Sequence, residues 1–532
     1  MKDFSQLSVE ELNRMDKQVL VTIIVSLQKQ LNAISSQLGF LSSQIALMNQ
    51  RSFGRKTEKL DQIAGQMDFF EVFNEPEFLS DTSSEPEVSE VTISGYTRKK
   101  KTSREQNLEG LPARIFEHKL SDAELKELFP NGYKELPAET YKRLSIIPQT
   151  FLVDEHHVHV YASKNNDGTI IKAKRPKDLF RNSIATPSLV AAIIHAKYTN
   201  HLPLERQSRC YQDNGVKLET NTMANWMMNS ADLYLNTVYE ELHKQLLGCP
   251  IIHADETPLR VIRDGRPAGS ESRMWVYKSG GSDDTHPIVL YDFHLTRKTS
   301  CPDEFLKGYS GTLVTDGYQV YHSLEKKRDG LKVAGCWVHA KRKFAEMVKA
   351  GSSDTIAAEA VSRISGIFHL DKQLEQLNSE ERLRQRVATV KPRVDDFFAW
   401  AKKTAGSGVL PKDSATQKAL QYCINQEQFL RVFLSDGDVP MHNNPAEQAI
   451  RPFTLGRKNW VNMDTIRGAQ TSAILYSLVE TARANHLRIY DYLELLLAEL
   501  VQHSDDTCRD FVYDLMPWSD HVREKCCGKK NS

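Results

Sequence analysis

The stretch Gly311–Tyr321, GTLVTDGYQVY, decides how this chain is read. Gly311 to Thr315 form a short apolar and β-branched run, as a buried strand requires, and Asp316-Gly317 supplies the turn chemistry that stops it. A carboxylate is thereby left at a strand end. Residues 249–262, CPIIHADETPLRVI, repeat the device: Pro250, Ile251 and Ile252 read as a second buried strand, and Asp255 stands where it emerges. A third acid is presented differently. In MHNNPAEQAIRPFTLGRKNW, residues 441–460, Asn444 is a good N-cap, Pro445 suits the first helical position and Glu447 falls in the first turn.

Two strand-end aspartates and one helical glutamate, far apart in sequence, can share a site only through folding. Their hard oxygen ligands would suit Mg²⁺ or Mn²⁺, and two such ions roughly 3.5–4 Å apart would serve an in-line phosphoryl displacement. Each acid also has a plain structural reading. Asp255-Glu256 can close a strand, Asp316-Gly317 can be a turn, and Glu447 can be a capping-box partner of Asn444.

The words around the acids change that balance. HADETPLRV (253–261), MWVY (274–277), EFLKGYSGTLVTDGYQVY (304–321), GCWVHAKRKF (335–344), NNPAEQAIRPFTLGRKNW (443–460) and AILYSLVETA (473–482) follow one another, and FGRKTEKL begins at Phe53. In these words the chain resembles the transposases of the insertion-sequence-66 family. The resemblance implies a ribonuclease-H-like α/β core in which Asp255, Asp316 and Glu447 form a DDE triad holding two Mg²⁺ or Mn²⁺ ions. It further implies that DNA, as element ends and target, is the substrate, and that element-encoded accessory proteins take part.

With 532 residues and 40% hydrophobic content, the chain is long enough for several cored domains. Lys plus Arg and Asp plus Glu number 69 each, so a nucleic-acid surface must come from local clusters and not from net charge. Eight cysteines without a CxxC pair, no signal-like N-terminus and no apolar run of spanning length predict a reduced, cytoplasmic, nucleoid-associated protein with no membrane partner.

In residues 1–60, Leu20, Ile24, Leu27, Leu31, Ile34, Leu38, Leu41, Ile45 and Met48 alternate spacings of four and three. That seam predicts a coiled coil joining two copies of the chain. Arg51, Arg55, Lys56 and Lys59 follow it and could neutralise phosphates, a role the FGRKTEKL resemblance turns toward DNA-end recognition. Residues 61–104, first acidic with Ser and Pro and then basic, read as a disordered linker.

Residues 105–180 read as a small domain. The family commonly carries a cysteine-based zinc module there, but no cysteine precedes Cys210 and FPNGYKEL (129–136) occupies the place, so no structural zinc is expected. His156, His157 and His159 alternate within FLVDEHHVHVYA as an exposed strand face and are assigned no metal. Residues 181–247 are helical, with a helix-turn-helix cadence from Leu204 to Met228 that turns at Asn214-Gly215 and puts Cys210 and Trp226 on buried faces. An ordinary helical hairpin is the competing reading.

Residues 248–348 open the core, with strands at 250–255, 258–263, 274–278, 287–292 and 312–316 and a helix at 302–306. Short connections predict antiparallel hairpins first, and the helix before Gly311 allows a parallel crossover. A helix headed by Cys336 and Trp337 then carries His339, Lys341, Arg342 and Lys343 as candidate phosphate ligands. Residues 349–440 form an all-helical insertion whose stripe Ile364, Ile367, Leu370, Leu374, Leu377 is core. Residues 441–500 return to the core with Glu447, and Arg451, Arg457, Lys458 and Trp460 suit a DNA backbone and an unstacked base. Arg451 can instead pair with Glu447, Pro452 is expected to end or kink that helix, and 501–532 is a tail. The expected activity is metal-dependent DNA cleavage and strand transfer. Its rivals are a structure-specific nuclease or resolvase, and a catalytically silent DNA-binding regulator.

Overall fold

A computed structural model describes residues 150–527 apart from 163–169, 268, 282–284, 350–354 and 412, together with isolated positions between Asp16 and Asn131. The coiled-coil seam beyond Gln28, Arg55, Lys56, Lys59 and the linker lie outside the described residues. Among the described positions of the seam, Leu20 and Ile24 are helical, and Ile24 is exposed.

The chain divides into two units, the smaller made of 68–175, 210–217 and 527–532. It holds an antiparallel pair, β1 (Val160–Ala162) and β2 (Ile170–Lys172). Strand structure is confined to Val160–Ala162, so the expected strand face over FLVDEHHVHVYA is shorter than its alternation implies; Leu152 and Val153 are exposed and give it no core to pack on. His156, His157 and His159 are exposed.

In the larger unit, α1 (Pro187–Tyr198) starts where Thr186 Oγ1 accepts from Leu189 N at 3.2 Å, with proline in the first turn. The predicted cadence follows as α2 (Leu204–Asp213), a turn with Gly215 at φ +82°, and α3 (Thr220–Ser230), with residues 210–217 of it counted in the smaller unit. One π-helical turn leads into α4 (Asn236–Leu247). Trp226 is buried as expected, but Cys210 is exposed. The buried stripe of α2 runs through Gln207 and Tyr211, four apart, and Cys210 lies to one side of it, about 60° from Gln207 and about 100° from Tyr211.

The core sheet has the order β6-β5-β3-β7-β8, formed by β3 (Ile251–Leu259), β5 (Ser272–Gly280), β6 (Val289–His294), β7 (Gly311–Thr315) and β8 (Leu331–Gly335). Pairing is antiparallel on the β5 and β6 side and parallel on the β7 and β8 side, as the connection lengths predict. The crossovers contain α5 (Ser300–Phe305) and α6 (Gln319–Glu325). Unlike the expectation of two strands broken after Asp255, β3 runs unbroken to Leu259 because β5 pairs with its whole length. Pro258 is tolerated there since β7 leaves β3 after His253, so the strand has only one ladder to satisfy. The following β4 (Val261–Arg263) pairs parallel with β9 (Met463–Thr465) instead.

After β8, α7 (Trp337–Lys349) leads into the helical insertion: α8 (Thr355–Lys372), α9 (Ser379–Gln385), α10 (Lys391–Gly406), α11 (Ala415–Asn425) and α12 (Glu427–Leu430). Its interior is continuous with the sheet, since Trp337, Phe344, Ile364, Ile367, Phe397 and Phe398 pack in one cluster with Ile251 and Val314. The chain returns through α13 (Asn444–Trp460), α14 (Ile466–Ala484), α15 (Ile489–Gln502) and α16 (Asp520–Cys526). α14 covers the edge strand β6: Ser477 Oγ accepts from Tyr291 N at 2.7 Å, and Thr481 Oγ1 accepts from Val289 N at 3.0 Å and donates to Val289 O at 2.9 Å. An edge that would otherwise invite pairing is thereby closed. Among the described residues no helix is long and apolar enough to cross a membrane.

Candidate active site

β3 and β7 lie side by side with Ile251 opposite Thr312, Ile252 opposite Leu313 and His253 opposite Val314. Asp255 lies two residues beyond the last of these pairs and Asp316 directly after the end of β7, close enough for the charge of Asp316 to act on Asp255. Both carboxylates are half-buried and fixed by backbone: Asp255 Oδ1 accepts from Glu256 N at 2.8 Å, and Asp316 Oδ1 from Tyr318 N at 3.0 Å. Gly317, at φ +90°, permits the turn, and Tyr422 Oη stands 2.7 Å from where a Cβ would be. That hydroxyl donates to Asp316 O at 3.0 Å, so the insertion helix α11 braces the second acid.

Glu447 reaches the same neighbourhood from α13. The helix begins at Asn444, one residue before the expected start, and neither asparagine caps it through its side chain. The capping-box reading of Glu447 fails for that reason. Its Oε2 accepts from Arg342 Nη2 at 3.2 Å, its Oε1 lies 3.5 Å from His339 Nδ1, and both partners come from α7. Pro452 does not end the helix, which continues to Trp460.

Electrostatics ties the three acids together. Burial, and then the charges of Asp316, Glu256 and Glu447, hold the Asp255 carboxyl well above the usual carboxylate range. Such mutual repulsion calls for a positive counter-charge. Glu447 Oε1 is buried and makes no hydrogen bond among the described residues, with His339 Nδ1 facing it at 3.5 Å. Carboxylate oxygens suit a hard divalent ion by their chemistry, although among the described residues the three acids do not bring their ligand atoms within 4.8 Å of one another. Cys336 Sγ, His339 and Glu447 do bring ligand atoms within 4.8 Å of one another. The Cys336 sulfur accepts from Asn443 N at 3.3 Å, however, and burial pushes its thiol up to about 12, the protonated form. Burial also holds His339 below its ordinary value, with Glu447 opposing.

The basic candidates separate. Arg342 and His339 hold Glu447, whereas Lys341 is buried with its Nζ 5.9 Å over the Phe368 ring. Lys343 is exposed, its Nζ 4.3 Å over Tyr422. Arg457 is bound to the protein through Thr257 Oγ1, at 3.1 Å, and through Pro258 O. Trp460 packs beside Tyr198, His201 and Tyr476, Lys458 is exposed and Arg451 half-buried.

The sequence profile described as "Transposase IS66 family" matches residues 182–471, which contain every described element from α1 to the first turns of α14. The chain belongs to this family. A second profile, "Transposase C of IS166 homeodomain", matches residues 41–115. The IS66 family membership makes DNA the partner, and the mixed α/β sheet with many helices fits a transposase core. Relatives in Sinorhizobium fredii include the uncharacterized protein y4qI, 28% identical over 390 residues covering 71% of this chain and 70% of its own. Another is the uncharacterized protein y4hP, 28% identical over 403 residues, 72% of this chain and 71% of its own.

Several residues escape a reading confined to the IS66-like acids. Glu256, next to Asp255, is raised by burial and by Asp316 and pulled back by Arg297, whose Nε lies 2.8 Å from Glu256 Oε1. The Arg297 guanidinium sits 3.7 Å over Tyr318, beside the turn that carries Asp316. His253 and Asn443 meet at 3.0 Å behind the acids. Glu256 is adjacent to Asp255, and that adjacency is its only local signal; nothing local marks Asn443 or Arg297.

Proposed function

We propose that this IS66-family protein is a DDE transposase, which cleaves DNA at element ends and joins the freed ends to target DNA. The observation that carries the reading is the placing of Asp255 on the central strand, Asp316 at the end of the neighbouring β7 and Glu447 on the first turn of α13, with the charges of the latter two raising the Asp255 carboxyl. The sheet order, with a central strand antiparallel to one neighbour and parallel to the other, supports a ribonuclease-H-like core interrupted by the helical insertion.

In this reading the three carboxylates would hold two Mg²⁺ or Mn²⁺ ions, which when bound supply activation of the attacking oxygen and stabilisation of the leaving oxygen. The protein's own groups do the positioning. β3 and β7 fix the two aspartates, Arg342 and His339 orient Glu447, and Tyr422 keeps the Asp316 turn in place. Lys343 and Lys458, exposed on α7 and α13, are proposed phosphate contacts, with Arg55, Lys56 and Lys59 for end recognition and Arg451, Arg457 and Trp460 lining the α13 side. The predicted N-terminal coiled coil would pair two copies and hence two ends. The proposed domain boundaries are those read from sequence.

Incubating the full chain with donor-end DNA, a target duplex and Mg²⁺ tests the reading by its products. Strand joining at the element end supports a transposase, cleavage without joining supports a nuclease, and neither product with retained binding supports a silent regulator.

A further inference from the structure

Asn443 is completely buried in the loop before α13, and each of its polar groups is engaged. Its Nδ2 donates to Ala254 O at 2.8 Å, and its Oδ1 meets His253 Nδ1 at 3.0 Å. Its backbone N–H donates to Cys336 Sγ at 3.3 Å, and its own carbonyl accepts the Glu447 N–H at 3.2 Å. These contacts join the central strand, the start of α7 and the first turn of α13.

The amide can be oriented in only one way. A backbone carbonyl accepts and never donates, so Nδ2 must face Ala254 and Oδ1 must face the imidazole, which therefore carries its proton on Nδ1. Position matters as much as bonding. β7 pairs with β3 only as far as His253, and at the next residue Asn443 supplies the donor that Ala254 O meets. Ala254 immediately precedes Asp255. One side chain thus bonds the backbone beside the first acid while its main chain bonds the backbone of the third.

We propose that Asn443 is a positioning residue that sets the separation of Asp255 and Glu447 and so shapes their shared metal site. The inference rests on the three-acid reading above. Without the Asn443 amide, β3 keeps its link to the far end of α13 through Arg457 but loses the one beside Ala254 and the first turn, and the two carboxylates no longer keep one geometry. Groups that orient metal ligands typically change metal affinity about 10- to 100-fold when removed. A merely structural asparagine would lower stability and leave the affinity of the folded protein unchanged.

The test is Mn²⁺ titration of the full chain followed by electron paramagnetic resonance of free Mn²⁺, with circular dichroism to measure the folded fraction. Wild type, Asp316→Asn, Asn443→Ala and Asn443→Asp are compared; the last keeps size and the acceptor for His253 but loses the donor to Ala254. The expected result is Mn²⁺ binding weakened about 10- to 100-fold per folded molecule in both Asn443 variants. If Asn443→Ala does not fold, the isosteric Asn443→Asp carries the test. Folded variants that bind Mn²⁺ within about twofold of wild type overturn the positioning role alone. If wild type binds no more tightly than Asp316→Asn, the three-acid site itself fails, and this inference with it.

Discussion

Arg342 on α7 donates from Nη2 to Glu447 Oε2 on α13 at 3.2 Å, with the guanidinium and the carboxylate both largely withdrawn from solvent. A helix that leaves the sheet at β8 thereby holds the acid that the chain delivers only after the whole helical insertion. Removing one partner of such a pair strands the other charge, so the cost falls on the geometry of Glu447.

Arg342→Ala is therefore expected to slow donor-end cleavage by about tenfold or more, with Arg342→Lys intermediate because a point charge replaces the fork. Single-turnover cleavage at saturating DNA measures this. Equal rates in all three proteins would dissociate Arg342 from the site.

Neighbouring lysines on α7 should behave differently. Lys343 is exposed and Lys341 is 4% exposed over Phe368. Lys343→Ala is predicted to reduce the slope of log K against log salt for DNA binding by about one, whereas Lys341→Ala lowers the unfolding temperature and leaves the slope alone. Binding isotherms over a salt series separate the two.

Glu480 gives a pH signature. Burial raises its carboxyl from 4.5 to about 7, against the pull of Arg483. The folded state thus holds the proton more tightly than the unfolded state does. The group costs nothing below about 4.5; its penalty grows through the window up to 7 and is complete above it. Glu480→Gln should consequently gain stability relative to wild type between pH 4.5 and 8, on the order of 3 kcal/mol. Urea unfolding at several pH values reads this directly, and a pH-independent difference would contradict it.

The cover over β6 is testable by an isosteric change. Thr481→Val deletes the hydroxyl that serves Val289 N and Val289 O, leaving both buried groups unmet, at a cost of about 1–3 kcal/mol. Thr481→Ser keeps the hydroxyl and should cost less. Chemical denaturation of the two variants ranks them.

The sequence made the strands legible where apolar runs met turn chemistry, as at Thr315-Asp316-Gly317, and it placed Glu447 on the correct turn of a helix. It misjudged the length of β3, because a strand's end depends on its partner and β5 extends the pairing to Leu259. Pro452 was no better guide, since a helix packed on the sheet tolerates a lost hydrogen bond. Lys341 and Arg457 read as free cations until packing showed one buried over Phe368 and the other bonded to Thr257. Asn443 was invisible for the same reason: its partners Ala254 and Cys336 are neighbours only in the folded chain.

Asp255, Asp316 and Glu447 are proposed to form one phosphodiester-cleaving site. Donor-end cleavage in Mg²⁺ by wild type, Asp255→Asn, Asp316→Asn and Glu447→Gln, with DNA affinity measured alongside, tests it most directly. Each substitution is expected to abolish cleavage while DNA binding persists. Wild-type cleavage by any one of the three variants would contradict it.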